Sequence, residues 1–109
     1  MIQVSFPFSD GSFESVLLAS VFTHMPLPEI RNYLNEISRV LSPHGSVLLS
    51  VLFSDDGRET VTHDINFWLS KDEFLDAVAA ARFHPTLLSE NGPSCCYHLT
   101  RLANGVSGQ

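Results

Sequence analysis

The sequence predicts an α/β domain organised on a strand–helix–strand unit between Phe6 and Phe53. Three observations carry that expectation. Ser15 to Phe22 is almost unbroken apolar sequence, with β-branched or aromatic residues at Val16, Val21 and Phe22. Gly45 to Phe53 has the same character. Between them, Ile30, Tyr33, Leu34, Ile37, Val40 and Leu41 recur at helical spacing and form one apolar stripe. Continuous apolar runs of strand length suit strands covered on both faces, which is how parallel strands sit. A strand, a helix and a second strand of one sheet make a right-handed crossover.

The elements follow in order. Asp10 and Gly11 mark a turn before the first strand. The helix is expected over Pro28 to Leu41, with Pro28 at its first position. Glu29, Arg31, Asn32, Asn35, Glu36 and Arg39 then lie on its wet face. Ser42 to Gly45 stops it, with Gly45 expected in the left-handed conformation that ends helices. A polar connection runs from Ser54 through Thr60 and on to Trp68. Structureless connections beyond ~12–15 residues are uncommon. Ser70 and Glu73 form a capping box, so a second helix begins at about Lys71 and buries Phe74, Leu75, Val78 and Ala81. His84 and Pro85 are expected to end it. Thr86 to Ser89 and Cys95 to Leu102 read as strands joined by a hairpin at Asn91, Gly92 and Pro93. Residues 1–102 are thus one domain, and 103–109, small and polar, a disordered tail.

Composition narrows the function. A chain of 109 residues holds one domain at most. Its net charge is −6, and its six basic residues are scattered, which argues against a nucleic-acid partner, since phosphate contacts need clustered Lys and Arg. No stretch is apolar for the length that a membrane-spanning helix needs. The start, Met1 to Ser5, lacks the charged lead and apolar run of a secretory signal, so a cytoplasmic location is expected. Cys95 and Cys96 are neighbours, and neighbours in a strand face opposite ways, so no bridge between them is expected.

Several segments, in order and at matching spacing, carry a resemblance. They are Phe6-Pro7-Phe8 with Asp10-Gly11-Ser12-Phe13-Glu14, then Ser20 to His24, then Glu36 to Gly45. This pattern resembles the C-terminal half of a class I S-adenosylmethionine-dependent methyltransferase, of the methyltransferase type 11-like domain. The likeness runs from about Phe6 to Leu102 and covers about half of a family domain. It implies a partial Rossmann-like fold, an open sheet in two or three layers, holding strands 4, 5, 6 and 7 of the family order 3-2-1-4-5-7-6. Strand 7 is then antiparallel. Two positions depart from the pattern: Glu14 stands for an aspartate, and Arg82 for a glycine common before the aromatic at Phe83.

By that resemblance, the first three strands are missing, and with them the glycine-rich loop that lets a backbone approach the cofactor. The six glycines, at positions 11, 45, 57, 92, 105 and 108, stand alone. S-adenosylmethionine is therefore implied by resemblance only. Ser20, Val21, Phe22 and Thr23 would form one wall of its cleft, and His24, after the strand, could act as general base. The chain is expected to be inactive alone, or active only when assembled, with methyl transfer to a small molecule as the parent activity. A strand at 15–22 with a bare apolar edge would pair with what it meets. The expected partners are a second copy, in a homodimer through that edge, or another chain supplying the missing half. A non-enzymatic dimerisation or docking module is the alternative.

Other groups point to ordinary roles. His63 and Asp64, with Asp55 and Asp56, match no calcium loop or zinc spacing, so no metal site is expected. Phe67 and Trp68 suit either a substrate pocket or packing on the second helix. A nucleophilic Cys95 or Cys96 would have only His98 as a nearby basic group.

Overall fold

The computed structural model describes residues 5–19, 21–55, 60–61 and 66–102. Its elements are β1 (Phe13–Leu18), a 3-10 turn (Phe22–His24), α1 (Leu27–Val40), β2 (Leu41–Phe53), β3 (Thr60–Val61), β4 (Phe67–Leu69), α2 (Lys71–Ala80), β5 (Phe83–Asn91) and β6 (Ser94–Arg101). β2 is the spine. β1 pairs parallel to it, with Ser15 to Leu18 opposite Ser46 to Leu49. β6 pairs antiparallel on its other side and carries β5 beyond. The order β1-β2-β6-β5 is the one expected for strands 4, 5, 7 and 6, with the antiparallel strand in its place.

The first strand is shorter than expected. It ends at Leu18, so Val21 and Phe22 are not strand residues. Phe22 has no exposed surface and sits in the core at the head of the 3-10 turn. An apolar run read from sequence does not separate a strand from a buried turn. The polar connection also differs from a structureless loop. Phe67–Leu69 pairs with the end of β2 and with Thr60–Val61. Because Leu52 pairs with both Trp68 and Ser94, β4 lies on the same side of β2 as β1, beyond its end.

Both helices cover one face of the sheet. Ile30, Leu34 and Ile37 of α1 and Phe74, Ala77 and Val78 of α2 pack with Val47, Leu49 and Val51 of β2 and Cys95, Tyr97 and Leu99 of β6. Phe53, Phe74 and Tyr97 form a ring cluster with centroids 5.8 to 6.2 Å apart. The expectation of strands covered on both faces is corrected here. On the other face, Leu17 is 70%, Leu48 42% and Leu88 56% exposed. The reason is winding: α1 connects β1 to β2, and α2 follows in contact with it, so both fall on the same side.

Helix ends follow local chemistry with small shifts. α1 is capped by Pro26, placing Pro28 second rather than first. Its end is held from outside: the Arg101 guanidinium donates to the carbonyls of Ser38, Leu41 and Ser42 and to the Ser38 hydroxyl. A cation on those terminal carbonyls is favoured by the helix dipole. Gly45 is not left-handed, and its true role is contact. A Cβ there would lie 2.6 Å from Leu41 Cγ and 3.0 Å from the Glu14 carbonyl oxygen of β1. α2 begins as expected, with the Ser70 hydroxyl accepting from the Glu73 amide at 3.4 Å. His84 and Pro85 do not end it; they lie in β5, an edge strand where proline removes no needed donor.

Arg82 follows α2 with φ of 71°. This left-handed position is where glycine ends helices without a steric cost. Arg82→Gly is therefore expected to raise stability by about 1 kcal/mol, the usual left-handed cost for a side chain. Equilibrium urea unfolding of the two forms reads it; a destabilised variant would contradict the reading.

Candidate functional site

The carboxyl end of β1 is where an open α/β sheet places ligands, if β1 borders the point where strand order reverses. The structure brings Val21, Phe22, Thr23 and His24 there in one tight turn. The His24 amide donates to the Val21 carbonyl at 3.1 Å, and the Met25 amide to the Phe22 carbonyl at 3.5 Å. Val21 and Thr23 are half-buried and His24 is exposed. Phe22 is committed to the core, so it would offer a ligand its backbone and not its ring. Ser20 lies outside the described residues, as do His63, Asp64 and Asp56. Among the described residues, no three or more His, Cys, Asp or Glu side chains gather as metal ligands. No described helix is long and apolar enough to cross a membrane.

A second cluster lies at the opposite, amino end of β1, and the sequence reading left its partners unassigned. Arg39 on α1 donates to the carbonyls of Phe6 and Phe8, to Asp10 Oδ1 at 2.8 Å and to Glu36 Oε1 at 2.9 Å. The Phe6 amide donates to Glu36 Oε1 at 2.7 Å. Phe6 also stacks edge-on to Tyr33, and Phe8 to Phe13. The Phe-Pro-Phe segment is thus clamped to α1 and delivers the chain to β1. The signal for it was the Glu36–Arg39 spacing of three on one helix turn. The Arg39 guanidinium, followed by the Phe6 amide, holds the Glu36 carboxyl below its ordinary range, and Glu36 with Asp10 raises Arg39. A carboxylate with a lowered folded pKa adds stability that is complete above the ordinary carboxylate range and disappears as pH falls through the lowered value. Glu36→Gln should therefore flatten the fall of stability with acidification below the ordinary carboxylate range. Thermal melts across that range check it; an unchanged slope would remove Glu36 from the clamp.

The two cysteines are free and face opposite ways, Cys95 into the helix side and Cys96 toward the open face. Burial pushes the Cys95 thiol and the Tyr97 hydroxyl up, which keeps both neutral. Phe67 and Trp68 are half-buried strand residues. The Trp68 indole N–H is buried and has no hydrogen-bond partner among the described residues.

Gly11 and Gly92 take positive φ in turns, and Gly45 is packed against Leu41, so none forms a backbone cradle beside Val21 to His24. An open mixed sheet with helices on one face is an α/β architecture.

Comparison with known proteins finds the same fold and a partial family match. Residues 2–49 match the family model described as a methyltransferase domain. Three solved structures share the fold. A Burkholderia thailandensis 1,6-didemethyltoxoflavin-N1-methyltransferase, solved with 1,6-didemethyltoxoflavin and S-adenosylhomocysteine bound, is 20% identical at TM-score 0.67, over 86% of this chain and 46% of that one. A Methanosarcina mazei S-adenosylmethionine-dependent methyltransferase is 16% identical at 0.67, over 90% and 63%. A possible histamine N-methyltransferase from Thermotoga maritima is 16% identical at 0.63, over 89% and 60%. The chain thus shares the fold of these methyltransferase structures over most of its length, and residues 2–49 match the methyltransferase-domain family model. It spans roughly half to two-thirds of the length of those structures.

Proposed function

We propose that this chain is one half of a class I methyltransferase catalytic domain, inactive alone, that works when joined by a region supplying the glycine-rich wall. The observation that carries this reading is the free edge of β1. Its one strand partner among the described residues is β2, so the switch point has one side. In the assembled domain, residues 20–23 would line the cofactor cleft through backbone and small side chains. His24, exposed beside them, would hold or take a proton from the methyl acceptor. The acidic charge favours a small-molecule acceptor over a nucleic acid, and a cytoplasmic location is part of this proposal.

Calorimetry with S-adenosylhomocysteine tests it. The lone chain should bind with Kd weaker than about 1 mM, since half of the contacts and the preorganised cradle are missing. Micromolar binding would overturn the dependence on assembly. A second reading, a docking module with no catalysis, draws on the uncovered Leu17, Leu48 and Leu88 face. Association without cofactor binding in any assembly would favour it.

A further inference from the structure

We draw no further inference here: the strongest candidate, the apolar cavity of about 250 Å³ that Phe6, Phe8, Phe13, Val16 and Val40 line beside the amino end of β1, belongs to the free strand edge already described, and nothing in the structure shows what covers it.

Discussion

Phe74→Ala is expected to shift the urea midpoint down by about 2 M or to prevent folding. Phe74 is fully buried, and its ring lies 5.8 Å from Phe53 and 6.0 Å from Tyr97. It is the residue through which α2 meets the ring cluster on the sheet. Truncating a buried ring costs about 3–5 kcal/mol, through lost transfer energy and the cavity left behind. Small domains hold about 5–15 kcal/mol in total. The loss therefore takes a large share of that total. At a slope of about 2 kcal/mol per molar urea, 4 kcal/mol is about 2 M. A midpoint moved by less than about 0.5 M would mean that the ring cluster is not the centre of the core.

Gly45→Val should cost about 3 kcal/mol, the upper end of the range for overpacking. The new side chain would meet Leu41 Cγ at 2.6 Å and Cδ1 at 2.7 Å, and the backbone oxygen of Glu14 at 3.0 Å. Leu41 is 1% exposed and has nowhere to turn. Glu14 belongs to β1, so relief would come by prising β1 from β2. The damage should be local: exchange of amides bridging β1 and β2 should quicken more than that of β5 and β6. Uniform loss of protection would contradict this account. Gly45 also shows how a correct residue can carry the wrong reason. Its place after α1 suggested a left-handed helix stop, while the structure uses its missing Cβ for close approach of two strands.

Much of the fold was legible because its signals are local. The α1 stripe at Ile30, Leu34 and Ile37, the Ser70 cap and the Gly92 turn each rest on residues a few positions apart. The strand order followed from the resemblance of ordered motifs. Other features were hidden because they depend on distant residues. The end of β1 at Leu18 was masked by continuing apolar sequence, since Val21 and Phe22 serve a buried turn. Phe67–Leu69 became a strand because the end of β2 offered it unpaired backbone groups. Val21 and Phe22 were expected in the strand; they lie beyond its end, and Phe22 is buried at the head of a turn. The Arg39 clamp spans about 30 positions, from Phe6 to Glu36 and Arg39, and only its Glu36–Arg39 spacing on one helix turn is local.

Sequence alone gave the parts: an α/β chain, two helices with their buried stripes, a hairpin, and motifs that resemble those of a methyltransferase family. Tertiary structure settled the sides. It set both helices on one face, left Leu17 and Leu48 exposed on the other, and gave β1 one strand neighbour among the described residues. The physical reason is that periodicity reports which residues want burial, whereas the layer that buries them depends on crossover hand and on chain far away.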